Sequence, residues 1–195
     1  MVQLALDRIE DSLSPLLREA VLADVGATTI EAIRSARRTE WVDASLQAEL
    51  NHAAFAHCGP DGYDQLWRAI TLSSTKDSLF AALAGGMLRL LGFSPRRLVT
   101  VIPRAANHVA RNTGVYEIAD TDDPSSAVMV FRDIHPELRR DETWARASRG
   151  SLLVVTDLLK LTGDVTMDLS ELAEGIARYT LTWELPDGIG SDDED

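Results

Sequence analysis

The chain has 195 residues, 45% of them hydrophobic, a formal charge of −12 and a lone cysteine. That is chain enough for one domain with a real core, and the apolar content sets wholesale disorder aside. The acidic balance disfavours nucleic acid as a partner. The sequence has no 18-residue apolar run that would span a membrane. The first residues, MVQLALDRIEDS, lack the basic-then-apolar order of a signal peptide. Cys58 cannot form an internal disulfide, so the expected setting is the reducing cytoplasm.

Leu13, Leu16, Leu17, Ala20 and Val21 recur at helical spacing over Asp11 to Ala23, with Pro15 suited to a first turn. Thr28 and Glu31 have capping-box spacing for a short helix to Arg38. A third helix is predicted from Val42 to His57, closed by Gly59. A fourth begins near Pro60 and carries Tyr63, Leu66, Trp67 and Ile70. Ser74 and Asp77 open an apolar helix through Leu79, Phe80, Leu83, Met87, Leu90 and Leu91, which Gly92 stops. Gly85 and Gly86 inside it lower its helix propensity and suit close packing or a ligand's approach. Ser94-Pro95 starts a helix to about Asn112, and Pro103 should kink or divide it.

Val115 to Ala119 and Ala127 to Phe131 read as strands around the turn-forming 120–126 segment. One long helix follows from Asp141, with Trp144, Ala147, Leu152, Val155, Leu158, Leu159 and Leu161 mainly on one stripe, and Gly163 beyond it. Then the period becomes two. Val165, Met167 and Leu169 alternate with polar residues, as do Ala177, Tyr179, Leu181 and Trp183. The link Glu171 to Gly175 is too short for a crossover, so these strands form a hairpin. The class is α+β: several N-terminal helices packed on a four-stranded antiparallel sheet, made of two hairpins separated by a long helix. The expected division is one domain over 1–185, with a helical part at 1–74, a sheet-bearing core at 75–185 and an acidic, disordered tail at 186–195.

Signatures of chemistry are absent. There is no G-x-x-x-x-G-K, G-x-G-x-x-G, G-x-S-x-G, C-x-x-C or H-E-x-x-H. No catalytic residue and no metal ligand set are therefore assigned. His52 and His57 lie five apart on a predicted helix, about 140° from each other, so a shared zinc would need the helix to end between them. Cys58 reads as a small buried side chain, and Trp67, Trp144 and Trp183 as core. From Ser78 to Tyr116 there is no acid, while Arg89, Arg96, Arg97, Arg104 and Arg111 are present. This stretch suits an anion, although pairing with the acid-rich remainder of the chain is the simpler reading.

The segments LLGFSPRRLVTVIPRAANHVARNTG, YEIADTDDPSSAVMVFRDI, RGSLLVVTDLLKLTGDVTM and ARYTLTW, within Leu79 to Leu185, resemble an uncharacterised myxobacterial family. That family is related to haem nitric-oxide-binding and 4-vinyl reductase domains, and its superfamily includes subunits of the transport protein particle. The resemblance implies a helical part against a four-stranded sheet. In the haem branch it also implies a helical proximal histidine before the first hairpin, and a Tyr-x-Ser-x-Arg motif at the hairpin's end that grips the propionates. Here His108 stands on the first of these. The place of the second reads Phe131-Arg132-Asp133-Ile134-His135, where Phe131, Asp133 and His135 stand in place of the motif's Tyr, Ser and Arg, and Asp133 would repel a carboxylate. On that ground no cofactor is expected and haem is set aside.

The function that follows is a non-enzymatic, cytoplasmic regulatory or sensory module. It would act through protein contacts, as a homo-oligomer or on another signalling protein. The alternative is a receptor for a small apolar or acyl ligand held between the 75–112 helices and the sheet. Trp67, Phe80, Gly85, Gly86 and His108 would then border the pocket and Arg104 would hold an anionic head group.

Overall fold

A computed structural model describes residues 2–37, 40–76, 95–109 and 111–184. The expected apolar helix with Phe80, Gly85 and Gly86 lies outside the described residues, as does the 186–195 tail. Three short helices lead: α1 (Val2–Ser12), α2 (Pro15–Val25) and α3 (Ala27–Ser35). The first was not expected from sequence, although Val2, Ala5, Leu6 and Ile9 form its buried stripe. Pro15 does open α2, and the Ser14 hydroxyl accepts from Leu17 N at 3.4 Å. The Thr28–Glu31 capping box does not form. Gly26 at φ +80° starts α3 instead, and no side chain caps it.

The expected third and fourth helices form the long α4 (Ala44–Lys76), which breaks at Gly59 (φ 67°, ψ 175°) with Pro60 next. Gly59 takes a backbone conformation that side chains resist, and Pro60 restarts the helix because its missing N–H has no partner there anyway. Helix α5 (Pro95–Val109) is a single helix despite Pro103. Then come β1 (Val115–Ala119), β2 (Ser126–Arg132), a 3-10 turn at Pro136–Arg139, α6 (Thr143–Leu152), α7 (Val154–Leu159), β3 (Gly163–Asp168) and β4 (Ala177–Trp183). The long helix expected from Asp141 is thus α6 and α7. Leu153 between them keeps right-handed helical angles (φ −57°, ψ −23°), and Lys160 ends the run in the left-handed region.

The four strands are antiparallel throughout, in the order β1-β2-β4-β3. Register puts Met129 opposite Tyr179, Phe131 opposite Ala177 and Tyr116, and Val165 opposite Leu181. All of these belong to one apolar face, the period-2 set read from sequence.

Two cores result. Helices α1 to α4 enclose Leu6, Ile9, Val21, Ile33, Leu50, Tyr63, Trp67 and Ile70. The sheet, with α5 to α7, encloses Val99, Met129, Phe131, Leu138, Leu152, Tyr179, Leu181 and Trp183. Helix α6 separates them and serves both. Its Ala147 packs in the first core, while its Ala145 and Leu152 pack in the second. A helix buried on two sides needs small residues, and Thr143, Ala145, Ala147, Ser148 and Gly150 supply them. At Gly150 a Cβ would lie 2.7 Å from Asp64 O and 2.8 Å from Trp67 Cβ, so glycine is what lets α6 cross α4 this closely.

Candidate functional site

The two cores meet along α6. On its helical side, α4 turns Ala44 and Ala48 toward the sheet-side core, while Leu50, Ala53 and Ala54 face the helical core. Asn51 falls on the same stripe as Ala44 and Ala48. It is 1% exposed, and its Oδ1 accepts from Gln47 Nε2 at 2.8 Å. Its Nδ2 is buried and has no hydrogen-bond partner among the described residues. A buried donor left unpaired costs stability, so a carboxamide kept here is a group in want of an acceptor. The indole N–H groups of Trp144 and Trp183, on the sheet side, share that condition.

On its sheet side, Tyr116 stacks on Phe131 with ring centroids 4.1 Å apart, and the Tyr116 hydroxyl meets Ser148 Oγ of α6 at 2.9 Å. Burial pushes the Tyr116 phenol up to about 12, with the Ser148 hydrogen bond opposing, so it stays protonated. The hydroxyls of Tyr63 and Tyr179 donate to the carbonyls of Thr143 (3.1 Å) and Ala145 (3.2 Å) in the first turn of α6. Tyr63 and Tyr179 thus hold α6 at its start, and Tyr116 holds it midway.

Ion pairs tie the junction at its far end. Arg149 on α6 reaches Asp64 of α4 with Nη1, Asp164 of β3 with Nη2 at 3.0 Å, and the Val165 carbonyl with Nε at 2.5 Å. Arg68 of α4 grips both carboxylate oxygens of Asp157 on α7, one of them at 2.6 Å from Nε. Asp64 is 4% exposed and its second oxygen has no partner. Burial raises its carboxyl above the ordinary range, and Arg149 opposes that rise. Sequence reasoning missed this set because its partners are far apart in the chain and each looks like an ordinary surface charge.

The residues expected at a pocket are placed as follows. Trp67 is buried in the helical core, edge-on to Tyr63 at 6.5 Å and against Gly150. Arg104 is exposed on α5, and His108 falls in the last turn of the same helix. Phe80, Gly85 and Gly86 lie outside the described residues.

In the basic stretch, three arginines have visible surroundings. Arg96 donates to the Thr121 carbonyl at 2.6 Å, and Arg111 stacks 4.4 Å from the Trp41 ring centroid. Among the described residues no carboxylate pairs with Arg96, Arg104 or Arg111. Trp41, unlike the other tryptophans, is 49% exposed.

The other histidines are engaged. His52 Nδ1 meets Asp141 at 3.1 Å, His57 Nε2 meets Asp24 at 2.6 Å, and His135 Nδ1 accepts from Glu137 N at 3.3 Å. His52 and His57 sit on one unbroken stretch of α4 and reach different elements. Among the described residues no group of three or more His, Cys, Asp or Glu is arranged to hold a metal ion. Cys58 is half-buried, and burial raises its thiol, which lowers its nucleophilicity at neutral pH. No described helix is long and apolar enough to cross a membrane.

No family model matches the sequence, and no curated protein matches it. The fold is similar to that of a mutant Fe(II) unliganded H-NOX protein from K. algicida (TM-score 0.67, 10% identity, 94% of this chain and 95% of that one). It is similar also to an oxygen-binding H-NOX domain related to soluble guanylate cyclases, in its oxygen complex (0.61, 9%, 98% and 96%). A third is an H-NOX protein from S. oneidensis in the Fe(II)NO state (0.57, 10%, 95% and 100%). H-NOX denotes haem nitric-oxide/oxygen binding. At 9–10% identity this likeness shows the fold.

It also corrects the expectation of no cofactor, with haem set aside. That expectation weighed one five-residue motif, whereas the likeness runs through nearly the whole chain and its neighbours are haem proteins. A short motif reports how one edge of a cofactor is held. The arrangement of elements reports whether there is a place for it.

Proposed function

We propose that the chain is a haem-based sensory module for a diatomic gas, nitric oxide or oxygen, without catalytic activity of its own. The observation that supports this is the likeness to H-NOX structures over 94–98% of the chain. The donor set fits the cofactor at one end. His108 stands on the helix that precedes the first hairpin, where the resemblance puts the axial ligand, and the other three histidines already have partners. The unpaired Asn51 amide, at the junction of the cores, is a donor that a ligand held there would satisfy.

At the other end the motif's own grip does not fit. Phe131 is fully buried in the sheet core, and Arg132 is bonded to Glu117 at 2.8 Å on the outer face. Asp133, at φ 53°, adds an acid. Haem, when bound, supplies an iron with a position open to a diatomic ligand. The chain's own part would be to hold that iron through His108 and to present a surface that a second copy or another signalling protein can read.

Titration of the purified protein with haemin tests this. A Soret band at one equivalent, altered in His108→Ala, is the expected result. If wild-type protein gives no such band, the haem reading fails. A melting shift with fatty acids in its place would then favour the apolar or acyl receptor. Native mass spectrometry in the same preparation gives the bound mass and the oligomeric state.

A further inference from the structure

The geometry points to Arg104 and Arg111 as the pair that holds the two haem carboxylates, in place of the missing Tyr-x-Ser-x-Arg grip; this rests on the haem reading above. A tetrapyrrole with two propionates brings two negative charges to a protein that already carries −12. Electrostatics therefore requires a local cationic site. The end of the first hairpin cannot supply one. Its single arginine, Arg132, is bonded to Glu117 on the neighbouring strand, and Asp133 is acidic.

Helix α5 can. Arg104 precedes His108 by four residues, about 40° around the helix, so the two positions share a stripe one turn apart. Val99, fully buried against the sheet, is nine residues from His108, which puts it about 180° away. The stripe of Arg104 and His108 is thus the side of α5 turned from the sheet core. Arg111 follows just beyond the helix end at Val109 and is held 4.4 Å over the Trp41 ring. That stacking limits the wandering of a long side chain while leaving its N–H fork available.

Both guanidinium groups are exposed, and among the described residues neither has a carboxylate partner. Seven other arginines, Arg34, Arg68, Arg132, Arg140, Arg146, Arg149 and Arg178, do pair with acids. In so acidic a chain, two arginines that bracket the His108 position and have no carboxylate partner among the described residues are placed for an anion from outside.

The test compares haemin with its dimethyl ester, in which both carboxylates are masked. Affinities are read from the Soret band, and the melting temperature of ligand-free protein is followed alongside. Wild-type protein should bind haemin about tenfold or more tighter than the ester, and added salt should shrink that margin. Arg104→Gln/Arg111→Gln should bind both at the ester's level with its melting temperature unmoved. His108→Ala should change the spectrum while keeping the preference for the free acid. Equal binding of the two compounds by wild type, or a preference that survives the double variant, overturns the carboxylate assignment and leaves the haem reading standing. Wild type that binds neither compound overturns both.

Discussion

Arginines occupy two opposite settings in this molecule. At the crossing of α4 and α6, Arg149 and Arg68 are each locked to carboxylates of another element, and Asp64 beneath Arg149 is almost wholly buried. On α5 and just past it, Arg104 and Arg111 stand exposed, with no acid paired to them among the described residues. The first setting makes charge structural. Removing one partner would strand the other in a low-dielectric site. The second leaves charge available, and its loss should cost binding and spare the fold. The −12 net charge makes the contrast informative, because carboxylates abound and among the described residues neither Arg104 nor Arg111 pairs with one.

The largest effect is expected from the sheet core that supports α5. Trp183 is 4% exposed, and Trp183→Ala should destabilise by roughly 3–5 kcal/mol in chemical denaturation. A negligible change would place the sheet's apolar face on the outside. Next, Arg149→Met should cost about 3 kcal/mol at neutral pH by leaving Asp64 buried and unpaired. The sign with pH follows from the raised carboxyl. A folded-state value above the unfolded one means that protonation favours the folded state, so the penalty is present at neutral pH and fades as pH falls toward the ordinary carboxylate range. A deficit that stays constant from pH 7 to pH 5 would contradict the account of Asp64. The smallest effect is expected at the other setting. Arg104→Gln should shift stability by no more than about 0.5 kcal/mol, as for exposed positions without partners. A drop comparable with that of Arg149→Met would erase the distinction between the two settings.

The opposed settings also explain what sequence could and could not reveal about the site. Local signals put His108 and Arg104 on one helix, and α5 carries both positions. Asn51 was not singled out, since a polar residue on a helix gives no sign of whether it faces water or a core. The Arg149–Asp64 pair joins α6 to α4, and the Tyr116–Ser148 pair joins β1 to α6. Such contacts have no spacing to read. The cofactor was misjudged for a related reason. The motif at Phe131 to His135 was compared residue by residue, while the likeness to haem proteins lies in the fold of nearly the whole chain.

What the sequence determined alone was local and periodic. The two-residue alternation from Ala177 to Trp183 specified a strand with one apolar face, and a short link after β3 specified a hairpin. Gly59 and Pro60 marked the break in α4 because few other residues tolerate that backbone. Even here local signals had limits. Pro103, despite a helix-interior cost of about 3 kcal/mol, did not divide α5, and the Thr28–Glu31 cap, a device worth about 1 kcal/mol, did not form, because tertiary context overrides local propensity. Tertiary structure alone decided that β4 would pair with β2, giving the order β1-β2-β4-β3, and that α6 would lie between two cores with Gly150 against Asp64. Each of those outcomes depends on surfaces far apart in sequence burying one another, and a hydrophobic pattern records only that a face must be covered, not by what.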